Sequence, residues 1–430
     1  MDQSDRRHSR HPRGMETVTD AEVIIIGGGP SGLSLAASLG TAGLTVLVLE
    51  RGPPKPATFD GRTLALSFRS MTILRKAGVA DFIENSACPI LDIHVGDGAA
   101  AYLDFSHKEV GDQPFGWIVE HHLFQKALER RLKGLKNVQI IHEASIRQLA
   151  FSDPLARVTL KGGRVLAAPL LIGADGRNSD CRMKAGIPVY GWTYKQTAIA
   201  CVVRHTKPHQ NCAVESFQPG GPFATLPMTK QRSSIIWTDT KAAAGALISM
   251  DHREFTKALD AKVEGWLGTT QLLGERFSYP LRLQHAERYT APRLALIGDA
   301  AHSIHPIAGQ GFNLGMGDIA VLTEELARAV RLGLDPGDAG LLRRYEQRRK
   351  AENGNMVLMT DSLVRLFSNS IAPLAFARRF GLETVQNMPP LKRFFIRTAM
   401  GTSQMGTSRM SSRRMSKDAI GRAPRRTDLS

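Results

Sequence analysis

The segment IGDAAHSIHPIAGQGFNLGMGD, from Ile297 to Asp318, holds five glycines, two histidines and two aspartates but no lysine or arginine, in a chain of net charge +16. Each glycine costs a helix roughly 1 kcal/mol relative to alanine. The composition therefore argues against an ordinary core helix. It predicts a backbone left bare because a flat group lies against it, with Asp299 free to accept hydrogen bonds and amides near Gly309 and Gly311 facing the group. Amides and a helix dipole at such a place favour developing negative charge.

A second bare stretch lies near the N-terminus, in AEVIIIGGGPSGLSLAASLGTAGLTVLVLE. Val23–Ile26 reads as a buried parallel strand, and the spacing Gly27-x-Gly29-x-x-Gly32 opens a helix behind it. Gly27 permits the tight turn, Gly29 lets a pyrophosphate approach the backbone, and Gly32 lets helix and strand pack closely. Glu50 ends the next strand, where an acid accepts from ribose hydroxyls. These features together predict a dinucleotide site. A third motif, LLIGADGRNSDCR (Leu170–Arg182), places Asp175 and Gly176 after another apolar strand. A nicotinamide dehydrogenase needs only the first unit, so the three motifs point to a flavin. Ser179 lacks the elbow of a hydrolase nucleophile.

The elements between these motifs follow from periodicity. Ile118–Leu135 reads as an amphipathic helix, and a hairpin is expected at Gly162-Gly163. From about Thr193 to Tyr279 the pattern becomes antiparallel, with TAIACVVRH, GPFATLPM and SSIIWTD as strands and DHREFTKALDAKVEGWLG as a helix. LALIGDA is another buried strand, and long helices follow through Phe367. Tyr194 and Gln196 are read either as lining a substrate pocket or as ordinary strand packing. His302 and His305 have no Glu or Cys partner that would complete a metal set, so no metal is expected. His305 is read as a hydrogen-bonded loop histidine, with proton handling as the alternative.

The motif set resembles that of the class A flavoprotein monooxygenases, the p-hydroxybenzoate hydroxylase superfamily. Within it, HPIAGQGFNLGMGD, DGRTLALSFRS, LVRLFSN and PPLKRFFIRTAMG resemble the ubiquinone-biosynthesis hydroxylases, over roughly residues 20–402. The resemblance implies an α/β chain: a Rossmann-like FAD-binding domain of the glutathione-reductase type, an inserted antiparallel-sheet substrate domain and a helical C-terminus. The expected segments are an extension at 1–19, FAD domain at 20–192, substrate domain at 193–282, FAD domain again at 283–330, C-terminal helices at 331–402 and a basic tail at 403–430. It further implies that Gly27, Gly29, Gly32, Glu50 and Arg51 hold the ADP half of FAD, and that Gln125 approaches the pyrophosphate. Asp175, Asp299, Pro306, Gly309, Gly311 and Asn313 would contact the cofactor. Arg62, His305 and Pro306 would lie at the reacting centre. His121-His122 stand where many relatives carry Asn-Arg, and His122 could replace that arginine weakly. The implied chemistry is NAD(P)H reduction of FAD and O2 addition at flavin C4a to give a hydroperoxide, which hydroxylates a polyprenylated phenol. No second glycine motif is present for NAD(P)H, which fits transient binding.

Composition narrows the rest. Four cysteines, Cys88, Cys181, Cys201 and Cys212, show no metal-ligand spacing and read as thiols in a reducing compartment. No apolar run reaches the roughly 18–20 residues that span a bilayer, and no signal peptide precedes the fold; Met15 is an alternative start. From Phe376 to Ser430 there are twelve Lys/Arg against three Asp/Glu. This basic end reads as a solvated tail or a membrane-surface contact, and no motif supports nucleic acid. The expected setting is cytoplasmic, peripheral at the inner membrane face, with a quinone-biosynthesis enzyme complex as a further partner. Two other readings stay open. On the same fold, an FAD monooxygenase of another phenolic or secondary-metabolite substrate, a prenyl reductase or a flavin halogenase is the alternative; a halogenase would carry Trp-x-Trp-x-Ile-Pro, which Trp117, Trp192, Trp237 and Trp266 do not form. A non-catalytic scaffold would show broken flavin motifs, whereas these are intact.

Overall fold

The computed structural model describes residues 19–54, 58–97, 102–218, 220–263, 265–305, 309–367 and 381–402. The expectations for residues 1–18, for the tail 403–430 and for Pro306 lie outside them. Val23–Ile26 forms the centre of a six-stranded sheet because all four side chains are β-branched and fully enclosed. It pairs in parallel with Leu170–Gly173 on one side and Val46–Leu49 on the other; Leu294–Leu296 and Val138–Ile141 extend the sheet outwards, and Thr290–Ala291 closes one edge. Burying such side chains contributes about 1.5–3 kcal/mol each. The three motif-bearing strands are thus neighbours, and their turns emerge together.

The second layer is an eight-stranded sheet, built around Val189–His205 paired with Thr270–Ala286 and Arg232–Thr240. Helices Lys241–Ser249 and His252–Val263 cover one face through Leu247, Phe255 and Leu259. This sheet is not confined to 193–282. Its longest pair begins at Val189 and ends at Ala286, and Asp92–Asp97 and Tyr102–Ser106 join its far edge. The hairpin at Gly162-Gly163 is present between Ala156–Leu160 and Val165–Ala168.

One local expectation is corrected. The segment Ile118–Leu135 is helical only from His121 to Lys133, because Gly116–Glu120 is wholly buried and pairs as a strand with Thr63–Ser67. The glycine-rich helix start expected after LALIGDA is present at Gln310, in helix Gln310–Arg331. Gly315 and Gly317 within it serve close packing. A Cβ at Gly315 would stand 3.3 Å from Gly298 Cα, and one at Gly317 would stand 2.6 Å from an Arg349 nitrogen. Side-chain-free positions let this helix touch the turn after Leu294–Leu296.

Gly32 makes the same demand more severely, since a Cβ there would lie 1.9 Å from the Gly27 carbonyl oxygen. Gly32→Ala should destabilise the protein by about 2 kcal/mol or more through overpacking. Gly162→Ala, where an added Cβ meets nothing within 4 Å, should stay close to wild type. Thermal unfolding followed by circular dichroism separates the two.

Candidate active site

The first turn forms one wall of a cleft of about 830 Å³. Gly27 adopts φ +111°, and a Cβ there would meet the Ala174 carbonyl at 2.4 Å, so only glycine fits. At Gly29 an added Cβ would meet nothing within 4 Å. Gly29 also caps helix Pro30–Thr41 without any side-chain cap. The first amides of that helix are consequently open towards the cleft, as an anion-binding terminus requires. Glu50 lines the cleft and accepts from Gly28 N–H and Gly52 N–H, both at 2.7 Å. Gln125 lines it too, its amide donating to Glu129 at 3.1 Å. The geometry fits the diphosphate and ribose of a dinucleotide.

A neighbouring cavity of about 400 Å³ shares Pro30 with this cleft and is lined by Ser31, Asp299, Gly309, Gly311 and Phe312. Its opposite wall comes from the large sheet through Ala224, Leu226, Ile236 and Thr238. Gly309 has φ +61° and caps helix Gln310–Arg331 without a side-chain cap, and at Gly311 an added Cβ would meet nothing within 4 Å. Bare amides therefore face a mostly apolar chamber between the two sheets, which fits a flat ring system. Asp299 is exposed at its rim.

The turn carrying Asp299 is held from behind by Asp318. This carboxylate is fully buried and accepts from Gly298 N–H at 3.0 Å, His302 Nε2 at 2.6 Å, Arg349 Nε at 2.8 Å and Asn353 Nδ2 at 3.2 Å. Burial alone would raise its pKa, but His302 and Arg349 outweigh that and hold it well below the usual carboxylate range. Asn353 also donates to Tyr289, whose hydroxyl meets His285, and His285 meets Tyr190. Burial pushes His285 down to about 4, so it is neutral at pH 7.

His305 lines the chamber and is fully buried, with neither ring nitrogen hydrogen-bonded. Tyr194 packs edge-on against it at 5.1 Å, and the Tyr194 hydroxyl donates to Asp361 at 2.8 Å. Burial lowers His305 to about 4. It is a neutral group offering one donor and one acceptor, which corrects the reading of a hydrogen-bonded loop histidine.

Other sequence-selected residues sit elsewhere. Arg62 lines the larger cleft, not the chamber, and is paired with Asp60 at 2.5 Å. His121 and His122 share that cleft. Arg51 is exposed beside Glu50. Asp175 is taken up by its own turn, accepting from Ser179 Oγ at 2.6 Å and Cys181 N–H at 3.1 Å. Asn313 accepts from Ser67 N–H and Ser70 Oγ and donates to the Ala65 and Gly309 carbonyls. All four positions of its amide are used, so its side chain braces the turn. Gln196 donates to the Gly220 carbonyl at 3.0 Å. The bracing role of Asp318, with Arg349 and Asn353, was not read from the sequence. A run Arg349-x-x-x-Asn353 on one helix face was the available signal.

Two substitutions test the arrangement. Gly29→Val should obstruct the diphosphate approach, and Asp299→Ala should remove acceptors for ribityl hydroxyls and weaken retention by roughly tenfold, the worth of one charge-assisted hydrogen bond. Flavin absorbance per chain after gel filtration measures both, and full colour in both variants would refute the assignment.

Comparison with known proteins agrees with this geometry. The FAD binding domain family matches residues 20–359. The chain is 43% identical over 386 residues to the ubiquinone hydroxylase UbiL of Rhodospirillum rubrum, covering 89% of this chain and 90% of that one. It is 34% identical over 385 residues to the 3-demethoxyubiquinol 3-hydroxylase of Escherichia coli, covering 88% and 98% respectively. The crystal structure of p-nitrophenol 4-monooxygenase PnpA from Pseudomonas putida superposes with a TM-score of 0.74 at 20% identity, covering 90% of this chain and 99% of that one, which establishes the shared fold. Three glycine-bearing turns that converge on one cleft and chamber, in a chain so similar over nearly its whole length, make this an FAD-dependent monooxygenase, and the chain belongs to the FAD binding domain family, among the ubiquinone-biosynthesis hydroxylases of the class A type.

Proposed function

We propose that this enzyme hydroxylates a polyprenylated phenol in ubiquinone biosynthesis, with NAD(P)H as transient reductant and O2 as oxygen source, while resting on a membrane surface. The observation that carries the reading is the 43% identity, over nine-tenths of both chains, to a ubiquinone hydroxylase. FAD supplies hydride acceptance and oxygen activation. The chain's own residues do the binding and the shielding. Gly27, Gly29, Gly32 and Glu50 receive the ADP half, with Gln125, Arg51 and Arg62 at its margins. Asp299, Gly309 and Gly311 receive the flavin half, with Pro306 assigned there by sequence. The N-terminus of helix Gln310–Arg331 favours negative charge on the ring. Ala224, Leu226 and Ile236 line the chamber and would shield the flavin from water when it is bound.

Membrane contact is supported by helix Pro389–Ala399. Ile396 and Met400 are buried against Ile90 and Phe115, and Lys392 pairs with Glu109 at 3.0 Å. Those residues anchor the helix to the fold. Phe394 is 56% exposed and Met388 49% exposed, beside exposed Arg393 and Arg397. Exposed apolar side chains and exposed cations on one short segment fit an anionic lipid surface, each cation contributing about 1 kcal/mol near it. Among the described residues no helix is long and apolar enough to cross a membrane.

Purified protein given NAD(P)H, a prenylated phenol and isotopically heavy O2 should place one heavy oxygen atom on the ring, read by mass spectrometry. Reduction of O2 to peroxide alone, with the phenol unchanged, would contradict the reading. Co-sedimentation with anionic vesicles should weaken with salt and fall in Phe394→Ser; equal pelleting with neutral vesicles would refute surface docking.

A further inference from the structure

Buried polar atoms without partners are rare, and each calls for an explanation. In this chain three such groups converge on the 400 Å³ chamber from three different elements: Arg177 Nε, Thr238 Oγ1 and both nitrogens of His305. Arg177 follows strand Leu170–Gly173, Thr238 lies on strand Arg232–Thr240, and His305 follows the Gly298 turn. Thr238 is 2% exposed and His305 fully enclosed. The elements that carry them are fixed. The Arg177 backbone is held through its carbonyl, which accepts from Arg182 Nη2 and Gln284 Nε2, both at 2.9 Å. Thr238 is fixed by its backbone bond to Pro222 and by strand pairing. Tyr194 backs His305. Pre-set groups of this kind select a ligand by its own hydrogen-bonding pattern, because an analogue lacking one oxygen leaves a buried group unpaired.

The three groups differ in chemistry. Arg177 is a permanent cation, and its charge reaches Tyr279 across the chamber, opposing the rise that burial imposes on that phenol. Thr238 and His305 are neutral. Asp299 and Glu215 also line this space. Resting on the phenol-hydroxylase reading above, we propose that Arg177, Thr238 and His305 are the substrate-recognition set: Arg177 holds the ring oxygen in its anionic form, and Thr238 and His305 hydrogen-bond a second oxygen on the same ring. The phenol O–H proton passes to the buffer as the ring binds. The oxyanion makes the ring electron-rich at the carbons beside it, which is what an electrophilic oxygen donor requires. The enzyme therefore selects phenols with at least two oxygen substituents.

The test uses the FAD-loaded protein and three small probes: phenol, guaiacol, which adds an ortho-methoxy oxygen, and veratrole, in which both oxygens are methylated. Binding is read from perturbation of the oxidised flavin spectrum, with FAD content and melting temperature recorded for every variant. Wild type should bind guaiacol about tenfold more tightly than phenol or veratrole, the scale of a buried hydrogen bond left unmade. Arg177→Gln should weaken guaiacol and phenol by about tenfold and leave veratrole unchanged, since only the ionisable oxygen needs the cation. Thr238→Val and His305→Leu should bring guaiacol and phenol to equal affinity while phenol itself is unaltered. Arg177→Gln that weakens all three probes alike, or that alters only the NAD(P)H requirement, overturns the assignment. So does a retained guaiacol preference in both Thr238→Val and His305→Leu. A wild-type flavin that responds to none of the probes overturns the phenol reading itself, a result distinct from responsive wild type with indifferent variants.

Discussion

A buried carboxylate fixes the backbone on which the rest of this site depends. Asp318 has no contact with solvent, yet it accepts from a backbone amide, a histidine, an arginine and an asparagine. An isolated ionised carboxylate in such a place would be prohibitively costly. Arg349, itself enclosed, supplies the compensating charge. Removing one partner of such a pair costs about 3–5 kcal/mol, because the other is left charged and alone. Part of that interaction is directed at Gly298, whose amide Asp318 holds at 3.0 Å. The turn bearing Asp299 is therefore held in place from within the protein, before any ligand arrives.

The opposite side of the site is held by backbone geometry instead of charge. Gly27, Gly32 and Gly315 are sites of close contact, where a single added carbon would strike a neighbouring backbone. Gly29 and Gly311 face open space. These two sets of glycines have different purposes: the first brings elements together, and the second leaves room for a ligand. Two helix starts without side-chain caps, at Gly29 and Gly309, face that room. The fold thus presents unsatisfied amides to a diphosphate at one end and to a ring at the other, and the large sheet covers the ring end with apolar side chains.

Much of this was legible in the sequence, because the motifs report backbone requirements. Gly27, Gly29, Gly32 and Glu50 fall at fixed spacings that a strand–turn–helix imposes, and the structure places Gly29 and Glu50 in the lining of one cleft, with Gly27 and Gly32 packed behind them. Asp299, Gly309 and Gly311 likewise meet in one chamber. What was not legible depends on long-range pairing. Asp318 and Arg349 are 31 residues apart, and Ser67 and Asn313 are 246 apart; no local pattern announces either contact. The resemblance implied a cofactor contact for Asn313, and its side-chain amide is already saturated by the protein. The helix start after Gly309 was legible, but the reason for its inner glycines was not, since helix propensity penalises them and only tertiary neighbours such as Gly298 and Arg349 explain them.

The central claim is that the charge on Asp318, through Gly298, sets the flavin-binding backbone. It is tested most directly by the FAD dissociation constant of Asp318→Asn apoprotein, titrated below its own unfolding transition and compared with wild type. Asparagine keeps the size and one acceptor but removes the charge that Arg349 and His302 balance. The account predicts FAD binding weaker by about tenfold or more, the scale of a charge-assisted hydrogen bond lost from the turn. Unchanged FAD affinity in a folded Asp318→Asn protein would contradict it.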